Sequence, residues 1–89
     1  MTYAITFTEV ALKNLQSFPQ KDKSLIIKNI EQLADDPFNK SNVKRLVDFD
    51  AAAFRLRVGK YRVLFDREDD LKIIDVVDIR QRKQAYKKR

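Results

Sequence analysis

The residues best suited to chemistry in this chain are arginines at strand-like spacing. Arg55 and Arg57 lie two apart in an alternating run, Arg62 follows the Gly59-Lys60 pair, and Arg80 and Arg82 close a later alternating run. Residues two apart on a strand share a face, and the alternation across the turn puts Arg62 on that face too. A guanidinium is charged at every working pH and can hold a phosphate through two parallel hydrogen bonds. If the last strand neighbours the hairpin, four or five guanidiniums converge on one patch, flanked by Lys44 and Arg45. So gathered they repel one another; Asp66 and Asp78 relieve part of this, and a polyanion relieves more. The other reading is that these arginines are solvated and paired across the hairpin with Asp66, Glu68 or Asp78. Tyr86 sits among Lys83, Lys87, Lys88 and Arg89. An aromatic in a basic segment can stack on a nucleobase, a contact worth about 1–3 kcal/mol, or it can anchor the tail against the sheet.

What is missing narrows the chemistry. The chain has no histidine and no cysteine, which removes Ser-His-Asp and Cys-His nucleophiles, disulfides and ordinary structural zinc sites. The tools left are Asp, Glu, Lys, Arg and Tyr, and no metal or cofactor is expected. The net charge of +6 is unevenly placed. Residues 1–40 balance five basic against five acidic side chains, whereas residues 41–89 carry fourteen against eight. A basic half is the electrostatic footprint of a polyanion or an acidic protein partner, or a solubilising tail. At 89 residues, 44% of them hydrophobic and 36% charged, one globular domain over 1–89 is expected. No apolar run approaches the roughly 20 residues of a membrane span. The N-terminus lacks the pattern of a signal peptide, so the expected location is the cytoplasm.

The elements that must position the arginines follow from periodicity. Tyr3, Ile5 and Phe7 alternate with Ala4 and Thr6, a short strand. Thr8 is placed as an N-cap with Glu9 behind it. Val10, Ala11, Leu12, Leu15 and Phe18 keep helical spacing up to Pro19. A second helix runs from about Gln20 to Ala34 on the stripe Ile26, Ile27, Ile30, Leu33 and Ala34. Residues 35–42 read as a loop, and Val43 to Phe49 as a short irregular strand or more loop. Phe54 to Val58 and Tyr61 to Asp66 form a hairpin about Gly59-Lys60. Leu71 to Ile79 is apolar on both faces and so central. Plain alternation puts Ile73, Val77 and Ile79 with Asp75; a bulge shifting the phase is the cheaper arrangement for that carboxylate. From Gln81 on, a short helix or a frayed tail is expected. The order β-α-α-β-β-β gives an α+β fold, a helix hairpin on one face of a small, mainly antiparallel sheet. The arginine face would be open. Tyr3, Phe7, Phe18, Phe54, Tyr61 and Phe65 fall at core positions.

The stretch Phe54-Arg55-Leu56-Arg57-Val58-Gly59-Lys60-Tyr61-Arg62-Val63-Leu64-Phe65, then Asp78 to Tyr86, resembles the RelE/ParE superfamily of bacterial and archaeal toxins, and the likeness covers nearly the whole chain. RelE-type members cut mRNA in the ribosomal A site; ParE-type members inhibit DNA gyrase. The resemblance implies the toxin of a type II toxin-antitoxin module, a metal-independent endoribonuclease of RelE type. It puts Arg57, Arg62 and Arg82 on the phosphate, Arg55 and Arg80 assisting, and Tyr86 on an mRNA base. Lys44, Arg45, Lys60, Lys83, Lys87 and Lys88 would hold ribosomal RNA. The implied partners are a cognate acidic antitoxin of RelB type, in a hetero-oligomer, and the mRNA-bearing ribosome. Some relatives carry a histidine near the position of Gln81; this chain has none. The alternatives are a ParE-type gyrase inhibitor, and an inactive module that only binds antitoxin or DNA.

Overall fold

The computed structural model describes residues 2–39 and 41–82. Strand β1 (Ala4–Phe7) leads through Thr8 into helix α1 (Glu9–Ser17). Thr8 caps that helix, its Oγ1 accepting from Ala11 N at 3.1 Å. The same hydroxyl donates to the Val77 carbonyl, and Thr8 N donates to Val76 O at 3.0 Å. One side chain thus ends a strand, starts a helix and docks both on the last strand. Pro19 breaks the chain between α1 and α2 (Gln20–Asp35). Its fixed φ of −56° suits a helix entrance, where its missing N–H costs nothing.

Strands β2 (Val43–Arg45), β3 (Phe54–Val58), β4 (Tyr61–Glu68) and β5 (Ile73–Gln81) complete a five-stranded sheet in the order β1-β5-β4-β3-β2. Only β1 and β5 run parallel. The α+β class and the helix hairpin on one face are as expected, and β5 is internal, between β1 and β4. The segment left open between strand and loop forms a three-residue edge strand, β2, followed by a loop over residues 46–53.

Ala11 and Leu15 of α1 and Ile26, Ile30, Leu33 and Ala34 of α2 pack against Leu56, Val58, Tyr61, Val63, Phe65, Ile74, Val76 and Ile79. Tyr3 is buried with them, and Phe7, Phe18 and Phe54 pack on the margin. Burying apolar surface at about 25 cal/mol per Å² is the main force holding helices to sheet. The bulge lies where Leu64 faces Asp78 while Phe65 faces Val76, leaving Val77 without an opposite residue. It corrects simple alternation: Ile79 joins Ile74 and Val76 in the core, and Asp75, Asp78 and Arg80 turn to the other face. Asp75 there accepts from Thr6 Oγ1 at 2.8 Å.

That other face is not fully open. The loop 46–53 folds across part of it, closed by Leu46 N on Ala53 O at 2.8 Å and tethered by Ala53 N on Asp66 Oδ1 at 2.8 Å. Leu64, on the arginine face by register, is 0% exposed beneath this cover. Among the described residues, no helix is long and apolar enough to cross a membrane.

Candidate nucleic-acid interface

The hairpin turn sets the register of the basic face. Gly59 takes φ of +56°, a conformation open to glycine and strained for residues with a Cβ. The two-residue turn pairs Val58 with Tyr61 and therefore Arg57 with Arg62. On the far side of β4, Arg62 pairs with Arg80. Three arginines thus form one row across β3, β4 and β5. The next row runs Lys44, Arg55, Leu64, Asp78. Like charges directly opposite one another destabilise a sheet, so the interest lies in what each guanidinium touches.

Arg80 is held within the fold. Its Nε donates to Asp78 Oδ2 at 2.7 Å, and its guanidinium lies 5.9 Å from the centre of the Phe49 ring. Asp78, 8% exposed, also accepts from Ile79 N at 2.8 Å and from Asn14 Nδ2 of α1 at 2.7 Å. A carboxylate so surrounded is satisfied. Arg62 folds back over the turn, Nη1 donating to the carbonyls of Gly59 and Tyr61, both at 2.9 Å. Arg57 Nη2 donates to Asn42 Oδ1, and Arg55 Nη1 to Asn42 O, each at 3.2 Å. Arg82 is brought in by its own backbone, its N–H donating to Lys60 O at 2.6 Å.

Arg57, Arg62 and Arg82 therefore converge, with Asn42 and Gly59, on an open hollow of about 460 Å³. Among the described residues no carboxylate lines it. The Asn42 amide oxygen takes up Arg57, and the Gly59 and Tyr61 carbonyls take up Arg62; an anion in the hollow can be met by several charge-assisted donors at once. Among the described residues no group of His, Cys, Asp and Glu is placed to hold a metal.

The remaining expectations divide. Lys44 shares the arginine face through its pairing with Arg55. Lys60 sits in the turn, its ammonium 5.6 Å from the Tyr61 ring centre. Arg45 does not flank the patch: it pairs with Phe54 and lies 6.0 Å from that ring, on the helix-bearing face. Tyr86, Lys83, Lys87, Lys88 and Arg89 lie outside the described residues. Of the carboxylates expected to pair with the strand arginines, Asp78 takes Arg80, while Asp66 accepts from Ala53 N. Two neighbours of the site escaped the reading of the sequence, Asn42 and Phe49. For Asn42 the only local signal was a turn-forming residue in a loop.

Tyr61 is the tyrosine nearest the arginine row in sequence, but it points into the core. Its hydroxyl donates to Asp22 Oδ2 at 2.6 Å, and its ring lies 4.5 Å from that of Phe18. Burial, then the hydrogen bond and charge of Asp22, push its pKa up to about 12. It stays a phenol at neutral pH and is no candidate base.

The model of the ParE toxin of type II toxin-antitoxin systems, parDE, matches residues 5–86. No curated protein sequence matches the chain. Among solved structures, a chain of the archaeal RelE-RelB complex from Pyrococcus horikoshii is 25% identical, with 96% of this chain and 100% of that one covered at a TM-score of 0.79. The toxin-antitoxin complex RelBE2 from Mycobacterium tuberculosis gives 23% identity, 92% and 100% coverage and a TM-score of 0.79. A mutant of the Escherichia coli toxin RelE in the free state gives 20%, 96%, 88% and 0.74. With the family match spanning nearly all its elements, the chain belongs to the ParE toxin family of type II toxin-antitoxin systems, in the RelE/ParE superfamily.

Proposed function

We propose that this toxin is a ribosome-dependent endoribonuclease that cuts mRNA in the A site and so stops translation. The observation that carries the reading is the convergence of Arg57, Arg62 and Arg82 on one hollow that no carboxylate among the described residues lines. RNA brings its own nucleophile. The 2′-oxygen attacks phosphorus, the bond to the 5′-oxygen breaks, and the products are a 2′,3′-cyclic phosphate and a 5′-hydroxyl. The proton leaves the 2′-hydroxyl and one is delivered to the departing 5′-oxygen. Between these events the phosphoryl oxygens carry extra negative charge. Guanidiniums fixed in advance stabilise that charge more than the ground state, which is where rate is gained. Arg57, Arg62 and Arg82 take this role, with Arg55 and Arg80 behind them, and Tyr86 stacks on the base.

An arginine with a pKa above 12 is a poor base. The chain thus stabilises charge well and moves protons badly, and the ribosome supplies in-line alignment. Cleavage of naked RNA is accordingly expected to be far slower. Lys44, Lys60, Lys83, Lys87 and Lys88 hold ribosomal RNA in this reading. The antitoxin is an acidic protein of RelB type that neutralises the basic face; the likeness to a RelE crystallised with RelB supports this choice.

The second reading is gyrase inhibition, favoured by the ParE name of the matching family. Primer extension on a defined mRNA, in ribosomes with an empty A site, separates the two. New 5′ ends at A-site codons, absent without ribosomes and lost in Arg62→Ala, establish the first. No cleavage by a folded, toxic protein, together with loss of DNA supercoiling activity, establishes the second.

A further inference from the structure

We infer that Asn42 is the positioning residue of the arginine hollow, an inference that rests on reading this hollow as the phosphate site. Asn42 has φ of +64°, a left-handed conformation that asparagine and glycine adopt more readily than other residues. It lies just before β2, so its carbonyl continues the β2–β3 ladder by accepting from Arg57 N at 2.8 Å. The same carbonyl accepts from Arg55 Nη1, and the side-chain Oδ1 accepts from Arg57 Nη2, both at 3.2 Å. One residue thereby fixes Arg57 at backbone and guanidinium together, and holds Arg55 beside it.

The chemistry also fixes the orientation of the amide. Arginine has only donors to offer, so the atom facing Arg57 must be the oxygen. Asn42 is exposed and lines the hollow with Arg57, Gly59, Arg62 and Arg82. The group left for a ligand there is the Nδ2 amide, a neutral donor among cations. Asn42 therefore does what an acidic side chain in its place could not. An aspartate would grip Arg57 harder but would set a negative charge against the incoming phosphate. An asparagine aims the guanidinium and leaves the hollow cationic.

The left-handed backbone makes a clean test possible. Asn42→Gly keeps φ and the carbonyl and removes only the amide side chain. Asn42→Asp keeps the acceptor and removes the Nδ2 donor. Inorganic phosphate is titrated into each protein, followed by the arginine Nε–Hε signals in nitrogen-15 NMR, and the same proteins are run in the programmed-ribosome assay. Wild type is expected to show phosphate-dependent shifts at Arg57 and Arg82. In Asn42→Gly the Arg57 response is expected to be lost while that of Arg82 persists, with phosphate affinity down about tenfold, the worth of one charge-assisted bond. Asn42→Asp is expected to bind phosphate more weakly still, with a melting temperature like that of wild type. Wild-type affinity in either variant, or an intact Arg57 response in Asn42→Gly, overturns the inference, as does a wild type whose Arg57 ignores phosphate. Should Asn42→Gly fail to fold, Asn42→Asp decides alone. If ribosome-bound mRNA is not cut while the phosphate effects stand, the endoribonuclease reading fails and the role of Asn42 survives.

Discussion

Arg67 and the arginines of the hollow are the same residue in two opposite settings. Arg67, on the helix-bearing side, lies 4.5 Å from the Phe38 ring centre and 4.8 Å from that of Phe54. Its Nε donates to Asp69 Oδ1 at 2.8 Å, and its Nη1 to Pro37 O at 3.2 Å. Asp69 in turn accepts from the Tyr3 hydroxyl at 3.0 Å. The charge is met inside the fold by a carboxylate and two aromatic faces, and the residue works as a clasp between β4 and the end of α2. Arg57 and Arg62 donate to neutral oxygens, and among the described residues no acid lines the hollow they share with Arg82. Arg67 is enclosed by its partners, whereas Arg57, Arg62 and Arg82 border an open hollow.

The largest effect expected follows from that contrast. Arg62→Ala should lower cleavage of ribosome-bound mRNA by about 10²- to 10³-fold, the usual worth of one preorganised donor on a developing charge. Its melting temperature should move by only a few degrees, read by circular dichroism. Arg67→Ala should do the reverse. Losing two cation–π contacts and an ion pair partly shielded from water should cost about 2–3 kcal/mol in urea unfolding. Cleavage per folded molecule should stay near that of wild type.

Smaller still is the response to anions. Phosphate at ten times its dissociation constant should stabilise wild type by about 1.4 kcal/mol. Arg67→Ala should gain the same increment on its lower baseline, whereas Arg57→Ala with Arg62→Ala should gain almost none. The last effect is confined to alkali. The pKa of Tyr61 is raised from 10.0 to about 12, so the folded state favours the neutral phenol. That contribution is complete below pH 10 and fades as pH rises through 12. Tyr61→Phe should lose about 1 kcal/mol at neutral pH and show a shallower loss of stability between pH 10 and 12.

The row itself was legible in the sequence because a two-residue turn leaves no freedom. Once Gly59-Lys60 is the turn, Arg57 must face Arg62. Arg80 was legible as the exit of a last strand beside the hairpin, and the awkward phase of Asp75 called for the bulge found at Val77. Arg45 was misplaced because the phase of a three-residue strand cannot be read from three residues, and a slip of one reverses every side chain. The cover over part of the arginine face was missed, although Leu64, an apolar residue between Arg62 and Asp66, is out of place on an open face. Asn42 was beyond reach for a different reason. Its role depends on the pairing of β2 with β3, which no local pattern encodes.

The pairing of β1 with β5 carries a consequence of its own. Ala4 sits beside Ile73 and Phe7 beside Val76, partners nearly the whole chain apart. β5 is the last of the described strands to be synthesised, yet it lies inside the sheet and carries Arg80 into the row. Contacts this distant form late, after the loop between them has closed. Until β5 has emerged from the ribosome that makes it, β1 has no strand to join and the row is missing its third member. The arginine row is therefore among the last parts of the fold to be completed.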